Sequence, residues 1–195
     1  MTFPLDLSRY QSATTWPTKV RRTLWRCIEL SLFRYSPSKC FGWRRFLLRV
    51  FGAKLAATSY VYPTTQIWDP KMLEMGEHSA MASYVECYSI DKIIIGDHCT
   101  ISQEAFLCTG THDVSAYNMP LIAKPIYIHD GAWICARAYV GPGIVIGEGS
   151  VVAACGVVVR DTEPWTIVGG NPAVFIKKRL VTAGPPSPEE RHVHA

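Results

Sequence analysis

Between residues 55 and 162 an aliphatic or sulfur-bearing residue recurs every six positions, and a small residue usually follows four places later. Residues 95–112 carry the pattern most openly, as IGDHCT, ISQEAF and LCTGTH, opened by Ile95, Ile101 and Leu107 with Cys99, Ala105 and Thr111 at the small positions. Upstream, Leu55, Val61 and Ile67 and then Met75, Met81 and Cys87 open hexapeptides, with Ser59, Thr65, Ser79 and Val85 following. Downstream runs the longest series, Ile128, Ile134, Val140, Ile146, Val152 and Val158, followed by Ala132, Ala138, Ile144, Ser150, Gly156 and Thr162. An amphipathic helix would space its apolar residues by three and four, so a period of six argues against one. Hexapeptide repetition predicts a parallel β-helix. The aliphatic residue points inward, the small one sits where the chain turns a corner, and three hexapeptides make an eighteen-residue coil. Fifteen hexapeptides in register give about five coils over residues 55–180, with residues 113–126 leaving as an excursion loop.

Residues 1–54 lack the period and read as a basic, partly helical extension. Residues 18–32 place Val20, Leu24, Cys27, Ile28 and Ser31 on one helical face, and residues 38–51 place Phe46, Leu47 and Val50 together. Pro37 and Gly42 punctuate the two segments. Residues 9–54 hold eleven Lys or Arg against the single acid Glu29, so the overall charge of +4 conceals a basic extension on a mildly acidic coil. Trp16, Trp25 and Trp43 with Arg21, Arg22, Arg26, Arg44, Arg45 and Arg49 predict a basic, aromatic surface. Two uses stand open: covering the exposed end of the β-helix, or touching anionic lipid. No nucleic-acid-binding motif accompanies the charge. Residues 181–195 read as a flexible tail.

The seven cysteines form no CxxC pair, and five of them fall within the repeats as small core or corner residues. With no apolar stretch of signal-peptide type in MTFPLDLSRY, reduced thiols and a cytoplasmic location are expected. No segment reaches the ~20 apolar residues of a membrane span. Among six histidines, His78 and His98 follow Gly-Glu or Gly-Asp at equivalent corners, His129 lies in a turn, and His192 and His194 belong to the tail. His112 differs, because it ends the last regular hexapeptide before the loop.

The repeats together with LCTGTHD, DGAWICARAYVGPGIVIGEGSVV and WTIVGGNPA resemble the left-handed β-helix acyltransferases, in particular sugar O-acetyltransferases of the maltose/galactoside type. DLSRY and GWRRFLLRVFGAKL are similar to exopolysaccharide acetyltransferases of the colanic-acid type. The resemblance spans about residues 5–180. It implies left-handed coiling, a homotrimer with active sites between neighbouring coils, and acetyl-CoA as co-substrate. It also implies a sugar or lipid-linked oligosaccharide acceptor, met in the cytoplasm or at the inner face of the cytoplasmic membrane.

On this resemblance His112 is the general base, taking a proton from a sugar hydroxyl that attacks the thioester directly; a free imidazole is largely neutral at pH 7 and suited to the task. Its second ring nitrogen needs a carboxylate, for which Asp113 is the neighbour in sequence, or a backbone carbonyl. A backbone N–H would stabilise the oxyanion. For the donor, Trp133 matches a tryptophan near the thioester arm, Ala136 and Ala154 match the pantetheine groove, Val159 and Arg160 match a Thr-Lys pair near the nucleotide, and Lys177 matches a cation for the CoA phosphates. Val174 replaces a usual cation after GNPA, for which Lys178 and Arg179 are substitutes, while Cys135, Ala153 and Cys155 stand where glycine is common. Glu86, Tyr88, Ser89 and Asp91, with Tyr84 nearby, are the expected acceptor residues. No resident metal is expected. Two other classes remain: a non-catalytic β-helix that binds a partner or membrane, and a metalloenzyme like the γ-type carbonic anhydrases, which needs three converging histidines.

Overall fold

Inward-pointing aliphatic residues and small corner residues generate three flat sheets wound into one prism. The structure, a computed structural model, describes residues 5–9 and 15–182; His192, His194 and most of the expected tail lie outside these residues. The first face holds Lys54–Leu55, Leu73–Met75, Ile93–Ile95, Ile126–Ile128 and Val145–Ile146. The second holds Tyr60–Val61, Ala80–Met81, Thr100–Ile101, Trp133–Ile134, Val151–Val152 and Thr166–Gly169, and ends in the antiparallel strand Val174–Lys178. The third holds Gln66–Ile67, Glu86–Tyr88, Phe106–Cys108, Tyr139–Val140 and Val157–Val158. Apart from that last antiparallel strand, neighbours within each face pair in parallel, which makes a parallel β-helix of about five coils. All fifteen residues that open hexapeptides are buried, none more than 7% exposed. This single column of side chains is the core.

The coil length departs from a uniform eighteen. Leu73 pairs with Ile93, twenty residues on, whereas Tyr127 pairs with Val145, eighteen on. The longer coils turn from the third face to the first through extra residues, and an additional inward side chain (Leu73, Ile93, Ile126) starts each three-residue strand there. Thr111 is a second departure. It is exposed, and the fully buried Thr109 takes the corner, donating from Oγ1 to the Tyr88 carbonyl and accepting from the Asp91 N–H. The excursion therefore begins at Gly110: Gly110–His112 pairs antiparallel with Leu121–Ala123, and Ile126 is already back in the first face.

One corner explains the Gly-Asp element of the repeat. Asp97 Oδ1 accepts from the Glu77 N–H and Asp130 Oδ1 from the Asp97 N–H, so each carboxylate braces the coil before it. A Cβ on Gly96 would lie 2.1 Å from Asp130 Oδ1, which only glycine avoids. His78 and His98 stand at such corners with φ near +55° and their rings 5.0 Å apart.

Helix α1 (Trp16–Ile28) continues through one π-helical turn, Glu29–Phe33, and helix α2 (Phe41–Val50) follows. Both cover the open N-terminal coil. The carbonyls exposed there each receive a side chain: Leu55 from Arg49, Ser59 from Arg45, Val61 from Arg44 and Ile67 from Trp25 Nε1. Glu29 Oε1 accepts from the Ile67 N–H. A buried strand edge needs such partners. The buried helical faces are Trp25, Glu29 and Phe33, and Arg44, Leu47 and Leu48. Of the residues expected to face inward, Val20, Leu24, Phe46 and Val50 are exposed, Leu47 is buried, and Ile28 packs partly against the core. The predicted basic surface shrinks accordingly. Arg44, Arg45 and Arg49 serve the cap, Arg21 pairs with Asp69, and Arg26 pairs with Glu29.

Candidate active site

The excursion hairpin hangs from the edge between the third and first faces, and its first strand presents His112 to solvent. His112 Nδ1 lies 2.7 Å from the Met119 carbonyl oxygen. A carbonyl only accepts, so Nδ1 donates to it, and in the neutral ring this places the basic lone pair on Nε2, the tautomer a general base needs. Met119 holds φ +43°, an uncommon value for a residue with a side chain, in the turn that aims its carbonyl at the ring. Sequence reasoning allows a carboxylate or a backbone carbonyl at this nitrogen, but a backbone carbonyl leaves no side-chain signature to say which one. Asp113 lies beside His112, and its Oδ1 accepts from the Ser115 N–H at 2.9 Å, which shapes the loop.

Two of the four expected acceptor residues face outward near this edge. Glu86 is exposed and Tyr88 half-buried on the third face, and a Cβ on Gly110 would come within 3.1 Å of the Tyr88 ring. Asp91 is half-buried at the corner that Thr109 closes. Ser89 differs: it is fully buried, donates to the Asp69 carbonyl and accepts from the Asp69 N–H. Its hydroxyl holds a corner and offers nothing to a ligand.

The expected donor residues lie elsewhere on the prism. Trp133 is half-exposed on the second face, its indole N–H donating to Ser102 Oγ at 2.8 Å. Pairing runs Trp133–Val151–Ile167–Lys177 in one row across neighbouring strands. Three strand spacings put Lys177 roughly 14 Å from Trp133. Ala136 and Ala154 occupy the same corner of successive coils, where the Cys155 N–H donates to the Ala136 carbonyl. Val159 and Arg160 are exposed beyond the third face, and Arg160 borders a hollow of about 260 Å³ with Val174 and Phe175. Lys178 is exposed, but Arg179 is already used: its guanidinium donates to the Gly131 and Gly149 carbonyls at 2.8 Å.

His112 and Trp133 are not brought together within one chain. The second face does not border the edge from which the hairpin hangs. Among the described residues, no three His, Cys, Asp or Glu side chains converge as metal ligands. Burial raises the Cys87 thiol to about 12, and burial likewise raises Cys99 and Cys135. These thiols are poor nucleophiles.

Comparison with known proteins bears on this geometry. The bacterial transferase hexapeptide (six repeats) family matches residues 125–160. The Escherichia coli K12 protein named "Putative colanic acid biosynthesis acetyltransferase WcaF" is 36% identical over 163 residues, covering 84% of this chain and 90% of the relative. A hexapeptide-repeat acetyltransferase from Vibrio cholerae, solved in complex with acetyl-CoA, superposes with a TM-score of 0.78 at 27% identity, covering 87% of this chain and 93% of its own. A maltose O-acetyltransferase from Clostridium difficile superposes with a TM-score of 0.75 at 26% identity, covering 86% and 90%.

Proposed function

The chain belongs to the hexapeptide-repeat acetyltransferases, and from that premise we propose that it transfers an acetyl group from acetyl-CoA to a sugar hydroxyl, in the assembly of an exopolysaccharide. The observation that carries this reading is the exposed His112 imidazole, held at Nδ1 by the Met119 carbonyl. His112 Nε2 accepts the hydroxyl proton as the oxygen attacks the thioester carbonyl. The collapsing intermediate expels the CoA thiolate, which takes the proton back from the imidazolium. Ester and thiol are the products, with no acyl-enzyme. Trp133, Ala136 and Ala154 would flank the thioester arm, with Val159, Arg160 and Lys177 toward the nucleotide. Glu86, Tyr88 and Asp91 would meet the acceptor, and Asp113 would support the loop that carries His112.

The reading is tested by following thiol release from acetyl-CoA against a panel of sugars, sugar phosphates and nucleotide sugars. Release that depends on an acceptor, with the acetyl ester found on the sugar, supports it. Tight acetyl-CoA binding with no transfer to any of these acceptors, or no acetyl-CoA binding, would count against it.

Separation of His112 and Trp133 within one chain supports a trimer, in which the hairpin edge of one subunit lies against the second face of the next. No helix of the described residues is long and apolar enough to cross a membrane. Trp16, Leu24 and Val50 nevertheless expose more than half of their surface on the outer side of the two helices. This apolar set supports peripheral contact with the inner face of the cytoplasmic membrane. The full chain is expected to cosediment with vesicles containing phosphatidylglycerol, and Trp16→Ser/Leu24→Ser/Val50→Ser to remain in the supernatant. Equal sedimentation of the two proteins would remove the membrane from the proposal.

A further inference from the structure

Where α1 passes the third face it leaves a cavity of about 570 Å³, lined among others by Lys19, Arg22, Arg26, Trp68, Glu86 and Tyr88. The Arg22 guanidinium lies flat over the Trp68 ring, 3.5 Å from its centroid. Its Nε is buried and has no hydrogen-bond partner among the described residues. A buried donor without a partner is costly, and among the described residues Arg22 forms no ion pair, the acid that acts on it, Asp69, being paired with Arg21. Arg21 is committed to Asp69, and Arg26 to Glu29. Glu29 is spent twice, on Arg26 and on the Ile67 N–H, and Glu86 also lines the cavity. Burial lowers the Arg22 pKa, opposed by Asp69 and Tyr88.

Aromatic rings continue the wall along the third face. Trp68 and Tyr88 stand 4.9 Å apart, Tyr88 and Phe106 6.4 Å, and Phe106 and Tyr139 5.5 Å. Tyr88 reaches the position of Gly110, two residues before His112. The cavity thus opens beside the hairpin that carries the proposed base.

We propose that this cavity is a subsite for an oxyanion carried by the acceptor, a phosphoryl or carboxylate group next to the sugar, bound by Arg22 with the sugar ring against Trp68 and Tyr88. The inference rests on the reading that the acceptor lies at Glu86 and Tyr88. A guanidinium offers its donors in a planar fork that fits either oxyanion, and stacking on Trp68 sets the plane of that fork beforehand. Aromatic faces suit the apolar face of a sugar ring. A neutral sugar alone would bring no charge to Arg22. The acceptor class selected is therefore an acidic sugar.

The test is calorimetric binding of glucose 1-phosphate, glucuronic acid and glucose, with no acyl donor present. At least one charged sugar should bind wild type about tenfold or more tightly than glucose does; the phosphate and the uronate identify which oxyanion is preferred. Arg22→Met, which keeps an unbranched side chain but removes the guanidinium over Trp68, should abolish that preference. Glu86→Gln removes a carboxylate from the cavity wall without touching α1 and should tighten the charged sugars several-fold. A charged sugar that binds no better than glucose, or equally to wild type and Arg22→Met, overturns the subsite. Because donor and turnover are absent, the two readings fail separately. Acetyl transfer without an anion preference sinks only the subsite, and an anion preference without transfer sinks only the acetyltransferase reading.

Discussion

His112→Ala is expected to lower acetyl transfer by ~10²-fold or more while leaving the melting temperature and acetyl-CoA binding near wild type. The ring is exposed and contributes nothing to the core, so the loss should fall on kcat rather than on the fold. Turnover near wild type would sink the general-base assignment. The same variant tests the assembly. His112 hangs from an edge that the face bearing Trp133 does not border. If the site lies between subunits, assemblies refolded from mixed His112→Ala and Trp133→Ala chains regain activity, because some seams then carry an intact His112 and an intact Trp133. Mixtures no more active than either parent would put the whole site in one chain.

Arg44→Met is expected to destabilise the protein by about 3 kcal/mol, read as the shift in urea or thermal unfolding at one fixed protein concentration. Arg44 is fully buried, and burial pulls its pKa below the ordinary guanidinium value. It donates to the Val61, Pro37 and Ser38 carbonyls and to Ser36 Oγ at 2.6–2.8 Å. Methionine fills much of the volume but removes four hydrogen bonds, one to the buried Val61 carbonyl and three to part-buried acceptors, at about 1 kcal/mol each. Part of that loss is offset because a buried charge no longer has to be desolvated. A change below about 0.5 kcal/mol would mean that the cap is held by its apolar contacts alone.

These two residues divide between them what a linear reading reaches. His112 is legible because it stands where a strict period stops, beside a loop, in a segment that resembles a known family. Arg44 is not, because nothing local separates it from the arginines around it. Its neighbours Phe46 and Val50 look like the buried face of a helix yet are more than half exposed. The open coil below offers unpaired carbonyls, and satisfying them outweighs burying two apolar side chains. Ser89 and Arg179 escaped for a related reason. Each reads as a free polar group, but each is consumed by backbone atoms twenty to forty-eight residues away.

The hexapeptide period by itself determined the parallel β-helix, the fifteen inward side chains and their sheets, and showed that an excursion interrupts the coil, because each follows from the alternation of large and small residues within a few bonds. Tertiary structure alone decided the twenty-residue coils, the transfer of one corner from Thr111 to Thr109, the carbonyl that orients His112 and the faces the helices bury. It also decided that Trp133 stands away from His112. All of these depend on which backbone groups meet when distant coils stack, and a hydrogen bond between coils leaves no mark at either end of the chain until the chain has folded.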